Sequence, residues 1–255
     1  MQCVILAGGL GSRLSEETDV KPKPMVEVGG RPILWHIMKI FASYGVREFV
    51  ICCGYKSEVI KSYFANYALN QADFSVNTLT GQLSYHNSAS EDWVVQVIDT
   101  GIETMTGGRL KRVADFLDDR FFFTYGDGLA DIDLDKLLSF HEKSGRLGTL
   151  TAVSPPGRFG LLGIEQGEVI SFQEKPVDSK NRINGGFFVL EKSILHLIED
   201  EGTVFERYPL EELSRQRQLG AYLHNGFWQC MDTLSDKRKL EHMWSEGNAP
   251  WKIWD

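Results

Sequence analysis

The residues best suited to chemistry lie near the amino end of the chain. They form the segment LAGGLGSRL at 6–14 and the segment KPKPM at 21–25. The three glycines leave backbone N–H groups open to an approaching phosphate, while Arg13 and Lys23 bring positive charge to the same place. Because the loop offers amides, a guanidinium and an ammonium but no carboxylate, it is suited to holding a polyphosphate.

Two common phosphate-binding loops do not match this segment. A P-loop would close with glycine, lysine and a hydroxyl residue, and the segment at 6–14 has no such ending. A dinucleotide fingerprint would place its third glycine where Leu14 stands, and Pro22 and Pro24 would break the helix that should follow. The loop therefore indicates polyphosphate binding of another kind.

A second candidate for chemistry is Gly126-Asp127-Gly128, which follows the apolar run FFFTY at 121–125. Aspartate and glycine both have a low preference for strands, so the presence of Asp127 just after this apolar run needs a specific explanation. One reason is Mg²⁺, a hard cation that takes carboxylate oxygens and often shares its ligands with substrate phosphates. The other is an ordinary turn or helix cap, and the sequence alone leaves both open.

Three further segments place charged residues next to predicted element ends. Asp131-Ile132-Asp133 has the D-x-D form of metal-dependent glycosyltransferases, but Asp133 precedes an amphipathic run and is better placed as a helix N-cap. The apolar strand at 227–231 ends in Asp232-Thr233, and either residue could cap the following helix. Glu174-Lys175-Pro176 holds a lysine of restricted freedom, for which a surface ion pair is the plainer explanation.

The apolar pattern predicts alternating strands and helices in the first half of the chain and closely spaced strands in the second. Predicted strands lie at 4–6, 48–52, 74–79, 83–86, 93–98, 121–125, 149–153, 161–165, 169–174 and 186–190. Predicted helices lie at 32–44, 57–67, from 106 onward, and at 133–143, 209–217 and 234–244. This order is typical of a Rossmann-like, doubly wound α/β sheet in one domain, which gathers ligand groups at the carboxyl ends of its parallel strands.

The composition favours a globular protein with a sizeable core and argues against a nucleic-acid-binding protein. The 255 residues are 42% apolar, enough for a sizeable core, and 27 basic against 35 acidic residues give a net charge of −8. Nucleic-acid binding is therefore not expected, and the basic run Arg109, Lys111 and Arg112 could serve a small polyanion or be a solvated helix face.

The sequence shows neither a signal peptide nor an apolar stretch of about 20 residues, so we expect no membrane partner. Neighbouring Cys52 and Cys53 would point to opposite faces of a strand, which disfavours a bridge between them. Reduced, buried thiols predict a cytoplasmic protein.

Taken in order, these motifs resemble the sugar-1-phosphate nucleotidylyltransferases. The family's signature has the form G-G-x-G-x-R-L with a P-K-P-like element after it. Later come Gly-Asp, Glu-Lys-Pro, Asn-Gly-Gly and Met-Asp-Thr elements, and the matching segments here span 6–233. Ser12 stands where threonine is usual, with the hydroxyl kept. The resemblance implies a GT-A-like mixed sheet over 1–255, with a nucleotide-binding half at about 1–130 and a merged sugar-phosphate-binding β region at about 131–255.

The resemblance also implies a role for each residue that matches a family motif. Nucleotide binding is implied for Leu6, Ala7, Gly8, Gly9, Gly11, Ser12, Arg13, Lys23, Gly107, Arg109 and Gly126. Sugar-phosphate binding is implied for Gly160, Glu174, Lys175, Asn184 and Gly185. Mg²⁺ is expected on Asp127 and Asp232, and the residues expected to be catalytic are Arg13, Lys23, Asp127 and Lys175.

Within the family, four segments are most similar to members that use CTP and glucose 1-phosphate: EET at 16–18, ICCGY at 51–55, MTGGRLKR at 105–112 and APWK at 249–252. The implied reaction gives CDP-glucose and pyrophosphate, which points to deoxysugars of bacterial surface polysaccharide such as lipopolysaccharide O-antigen. Related enzymes imply a homohexamer. The segment 73–100 together with Trp244, Trp251 and Trp254 could supply contacts between copies, or these aromatic residues could pack within the chain.

Three rival functions remain open on the sequence. The same reaction could use UTP or another nucleotide, because base choice depends on backbone groups near residues 6–8 and 105–108 whose hydrogen-bond direction is not encoded in residue types. A metal-dependent glycosyltransferase would instead use Asp131 and Asp133. A catalytically silent regulator would be free to lose some of the charged site residues, all of which are present.

Overall fold

The computed structural model describes residues 1–11, 14–86, 91–155, 160–173 and 181–254. Its strands are β1 Cys3–Ala7, β2 Glu27–Val28, β3 Arg31–Pro32, β4 Glu48–Cys53, β5 Asp73–Val76, β6 Leu83–His86, β7 Val94–Asp99, β8 Arg120–Tyr125, β9 Gly128–Ala130, β10 Gly148–Val153, β11 Leu161–Glu165, β12 Glu168–Gln173, β13 Ile183–Asn184, β14 Phe188–Glu191, β15 Leu219–His224 and β16 Trp228–Cys230. Its α-helices are α1 Ser15–Thr18, α2 Ile33–Ser43, α3 Ser57–Ala65, α4 Tyr67–Gln71, α5 Thr106–Arg112, α6 Leu134–Ser144, α7 Tyr208–Arg215 and α8 Leu234–Ser245. Short 3₁₀ turns lie at Lys23–Met25, Ala114–Phe116 and Lys192–Leu197.

The central sheet has the strand order β15-β10-β14-β8-β1-β4-β7, with β13 pairing β10 beyond the end of β14. The strands run parallel except for β14 and β13, which are antiparallel to their neighbours. Leu6 at the end of β1 lies opposite both Cys52 and Tyr125, so β1, β4 and β8 end at one edge of the sheet. The predicted mixed α/β sheet is confirmed, and the glycine loop and Gly126-Asp127 leave it side by side.

Alternation along β1 explains the two layers of core. Cys3 and Ile5 pack on the face that α2 covers, whereas Val4 and Leu6 pack on the face that α5 covers. Both faces of the strand are buried, which accounts for its unbroken apolar sequence. Cys52 and Cys53 likewise lie in different cores, and the four cysteines, all within the described residues, form no disulfide.

Most predicted element bounds hold to within a few residues, and the exceptions have local causes. The helix predicted at 57–67 stops at Ala65, and a separate short helix begins at Tyr67 after Asn66. The strand predicted at 74–79 ends at Val76, because the Asn77 side chain accepts hydrogen bonds from the next turn. Strands β5–β6 and β11–β12 form two hairpins outside the central sheet. No helix among the described residues has the length and apolarity needed to span a membrane.

Candidate functional site

A cavity of about 450 Å³ opens at the carboxyl edge of the sheet, between the glycine loop and the start of α5. Its wall is lined by eight residues predicted to bind the nucleotide and by Asp127, predicted for the metal. The eight are Leu6, Ala7, Gly8, Gly9, Gly11, Lys23, Arg109 and Gly126. Gly107 lies behind this wall, where its N–H donates to the Thr203 carbonyl at 2.9 Å. Other predicted residues lie outside the described part of the chain: Ser12, Arg13, Glu174 and Lys175.

The glycine loop requires glycine at two positions for identifiable reasons. A Cβ at Gly8 would lie 2.1 Å from the guanidinium of Arg109. Gly11 has φ +64°, and a Cβ there would lie 2.8 Å from the methyl group of Thr18. The Thr18 hydroxyl also lies 3.3 Å from the Gly11 carbonyl, to which it donates, so the end of α1 contacts the loop directly. The loop backbone is therefore held close to both α1 and Arg109.

Lys23 lies at the centre of the charged part of the site. Its Nζ donates to Asp127 Oδ2 at 2.5 Å and to Asp232 Oδ1 at 2.7 Å. Burial lowers the pKa of Lys23, but the two carboxylates outweigh that effect and raise the pKa above its ordinary value. The structure thus brings together three residues spread over more than two hundred positions.

Each of these three charges is placed by a specific backbone feature. Lys23 begins a 3₁₀ turn directly after Pro22, whose backbone is extended, and the Lys23 carbonyl accepts from the Val26 N–H within this turn. Asp127 leaves β8, and its carbonyl accepts from the Met231 N–H at 2.9 Å, which holds Asp232 nearby. Thr233 forms a capping box at the start of α8, so the Asp232 side chain faces Lys23 instead of the helix end.

The pair Asp127 and Asp232 fits a divalent cation shared with a substrate. Their oxygens converge on one ammonium, and hard carboxylate oxygens suit Mg²⁺, which needs only one or two such ligands when phosphates and water supply the others. Over the described residues, no group of three or more His, Cys, Asp or Glu side chains could hold a metal by itself. The two carboxylates fit a cation whose other ligands would come from phosphate and water, and a metal held by Asp127 and Asp232 stays a prediction.

The alternative D-x-D pair has other structural partners. Asp133 is the N-cap of α6, as predicted: its side chain accepts from the Lys136 N–H at 2.9 Å and pairs with the Lys136 ammonium at 2.7 Å. Asp131 Oδ1 lies 3.0 Å from His224 Nε2. Neither aspartate is among the residues that line the described cavity.

Arg109 reaches the cavity wall with its guanidinium already surrounded by acceptors. It donates to the carbonyls of Cys53, Gly8, Gly101 and Ile102 and to the Thr100 hydroxyl, at 2.7–3.1 Å. Burial lowers its pKa from the ordinary value, which still leaves the group charged at neutral pH. This side chain holds the glycine loop against the turn after β7, and its direct contact with a nucleotide stays a prediction.

The other basic residues of α5 face different partners. Lys111 donates to the carbonyls of Ile198 and Glu199, and Arg112 pairs with Glu201. The three basic residues therefore do not form one polyanion site.

The predicted sugar side begins at β13. Asn184 Nδ2 donates to the Tyr125 hydroxyl at 3.2 Å, and its Oδ1 accepts from the Gly186 N–H at 2.9 Å. The Gly185 carbonyl accepts from the Trp228 indole at 2.7 Å. Gly160 lies just before β11, and its predicted role stays a prediction.

Sequence reasoning missed three residues that the structure places at or beside the cavity. Tyr125 and Thr106 line it, and Glu206 accepts from the hydroxyls of both. Tyr125 had a usable signal, because it is the last residue of a buried strand that points at the site. Glu206 had none, because its partners lie 81 and 100 positions away.

Known proteins share this sequence and this architecture. The family model described as nucleotidyl transferase matches residues 2–233. The chain is 55% identical over 257 residues to the glucose-1-phosphate cytidylyltransferase of Salmonella typhi, with 100% of both chains covered. The same figures hold for the protein of that name from Salmonella typhimurium strain LT2. The solved structure of HddC from Yersinia pseudotuberculosis complexed with GMP-PN has a TM-score of 0.66 at 24% identity, over 95% of this chain and 99% of that one, which shows a shared fold.

Proposed function

Since this chain belongs to the nucleotidyl transferase family, we propose that it transfers CMP from CTP to α-D-glucose 1-phosphate, giving CDP-glucose and pyrophosphate. The observation that carries the proposal is the convergence of Lys23, Asp127 and Asp232 at the rim of a glycine-lined cavity. The choice of CTP and glucose 1-phosphate is supported by the names of relatives that are 55% identical over the full chain.

The chemical difficulty of this reaction is to bring two anions together. A phosphate oxygen of glucose 1-phosphate attacks the α-phosphorus of CTP in line, and because that oxygen is already anionic the attack needs no catalytic base. Lys23 is placed to neutralise charge on the reacting phosphates. Magnesium held by Asp127 and Asp232 would neutralise charge on the α-phosphate and the leaving pyrophosphate.

The remaining roles follow the family motifs. The glycine-loop amides and Arg13 hold the triphosphate, and Lys175 with Glu174 orients the sugar phosphate. Gly160, Asn184 and Gly185 contact the sugar. The segments 6–8 and 105–108 discriminate cytosine from other bases through their backbone groups.

A nucleotide panel tests the proposal. Pyrophosphate release is measured with Mg²⁺ and glucose 1-phosphate against CTP, UTP, GTP, ATP and dTTP in parallel. We expect release with CTP at least about tenfold above any other nucleotide, a difference that one or two base-specific hydrogen bonds can supply. A preference for another nucleotide would keep the reaction and overturn the choice of CTP, and no release with any of them would overturn the reaction.

The proposal extends to the setting of the enzyme. Both hairpins expose apolar side chains, among them Phe74, Leu162 and Phe172 at 43%, 51% and 62% of their surface, as expected where copies of a homohexamer meet. Light scattering on the purified chain gives the number of copies. Four cysteines that form no disulfide within the described residues favour the reducing cytoplasm. CDP-glucose made there would supply deoxysugars for the lipopolysaccharide O-antigen.

A further inference from the structure

Glu206 accepts hydrogen bonds from two walls of the cavity at once. Its Oε1 accepts from the Tyr125 hydroxyl at 2.7 Å, and its Oε2 accepts from the Thr106 hydroxyl at 2.6 Å. The carboxylate itself is half-buried and is not among the residues lining the cavity. None of the catalytic roles proposed above uses it.

The two hydroxyls belong to opposite sides of the site. Thr106 is the first residue of α5, the helix that carries Arg109 to the Gly8 carbonyl on the proposed nucleotide side. Tyr125 is the last residue of β8, and its oxygen accepts from Asn184 Nδ2 on the proposed sugar side. Glu206 therefore joins α5, on the proposed nucleotide side, to β8, on the proposed sugar side.

The charge of Glu206 fixes the direction of every hydrogen bond in this chain of groups. An ionised carboxylate only accepts, so both hydroxyls donate to it. The Thr106 oxygen is then left to accept from the Phe205 N–H at 2.8 Å, and the Tyr125 oxygen to accept from Asn184.

We propose that Glu206 is a positioning residue that couples the nucleotide side of the site to the sugar side, through Thr106 on one and Tyr125–Asn184 on the other. The inference rests on the proposed function for the identity of the two substrates. An amide at this position has only one acceptor oxygen, so Glu206→Gln leaves one hydroxyl without its acceptor and frees that wall to move.

Steady-state kinetics of Glu206→Gln give the first test. We expect KM to rise about five- to tenfold for both CTP and glucose 1-phosphate, the scale of the net loss of one intramolecular hydrogen bond. Glu211→Gln, the same exchange on the exposed side of α7, is the matched control and should keep both KM values within twofold. Thermal melts of both variants show whether the fold is intact.

A double-mutant cycle separates coupling from loss of structure. Thr106→Val and Tyr125→Phe each remove one hydroxyl, and the two hydroxyls share only Glu206. In the wild-type background the double variant should differ at least about threefold from the product of the single effects on kcat/KM. In the Glu206→Gln background the effects should multiply. These two variants also test the proposal if Glu206→Gln does not fold.

Unchanged KM values in folded Glu206→Gln, or single effects that multiply in the wild-type background, would overturn the inference. Failure of the proposed function would instead be seen in the wild-type enzyme, as preference for another nucleotide or sugar phosphate. If the wild type prefers other substrates, the double-mutant cycle is run with those substrates. Failure of the proposed function and failure of the coupling through Glu206 therefore stay distinguishable.

Discussion

The ammonium of Lys23 lies between two carboxylates that a divalent cation would also need. Lys23, Asp127 and Asp232 have 12%, 30% and 11% of their side chains exposed, so their mutual attraction is only partly screened by water. Without Lys23, the two negative charges would face each other with no ammonium between them. The lysine therefore holds the carboxylates in place and would compete with any metal bound by them.

Replacing Lys23 tests this competition directly. In Lys23→Met we expect Mn²⁺ to bind at least about tenfold more tightly without nucleotide, because one ammonium no longer occupies the carboxylates. The same variant should lose at least about a hundredfold in kcat/KM, the scale of removing one preorganised charge. Electron paramagnetic resonance of free Mn²⁺ measures the first effect without turnover.

Lys21→Met is the matched control for this experiment. Lys21 lies two positions away and pairs with Glu27 at 2.9 Å. It should change neither Mn²⁺ affinity nor turnover by more than about twofold, as expected for an exposed pair. Equal Mn²⁺ affinity in Lys23→Met and the wild type would show that the lysine does not compete with the metal.

At the scale of elements, two helix caps have similar chemistry and different consequences. Asp133 caps α6, and Thr233 caps α8 in a box with Asp236, whose Oδ2 accepts from the N–H groups of Asp232 and Thr233. Only the second cap adjoins a charged residue of the site. The first helix residue of α8 follows directly, so the cap sets where Asp232 points.

We expect Thr233→Ala and Asp133→Ala each to lower the free energy of unfolding by about 1 kcal/mol, the usual value of a lost N-cap. Only Thr233→Ala should also lower kcat/KM, by about fivefold or more, since it loosens the backbone that holds Asp232. Urea unfolding and steady-state kinetics on both variants make the comparison. An equal loss of activity in both would assign the effect to stability alone.

The three charged residues at the centre of the candidate site could be singled out from the sequence, because each lies in a recognisable local sequence pattern. Asp127 and Asp232 each follow an apolar strand, and Lys23 stands between two prolines. The function of Arg109 was less predictable, because four of its five acceptors are backbone carbonyls that residue types do not identify. Glu206 resembles other surface glutamates in sequence, and only the packing of Phe205 and α5 brings it to Tyr125 and Thr106.

At the scale of the whole molecule, the carboxyl end of the chain closes over its first long helix. Trp251 is fully buried and donates to His36 Nδ1 at 3.3 Å across 215 positions. His36 Nε2 donates to the Val28 carbonyl at 2.8 Å, which fixes the neutral tautomer. The Trp244 ring packs edge-on against the same imidazole at 4.7 Å. Within this chain, Trp244 and Trp251 thus serve intramolecular packing.

This closure makes the stability of the fold depend on pH through one residue. Burial lowers the pKa of His36 from 6.5 to about 4 and outweighs the Val28 hydrogen bond, which raises it, while the nearby Arg31 charge adds a smaller lowering effect. Between those values the unfolded chain binds a proton that the folded chain does not, so stability falls as pH falls through this window and is unaffected above it. From pH 7.5 to pH 5 the expected loss of unfolding free energy is about 2 kcal/mol.

Urea unfolding of the wild type, His36→Gln and the exposed-residue control His242→Gln measures this loss. The control should keep this loss and His36→Gln should lack it, whereas the same slope in all three would place the pH dependence elsewhere.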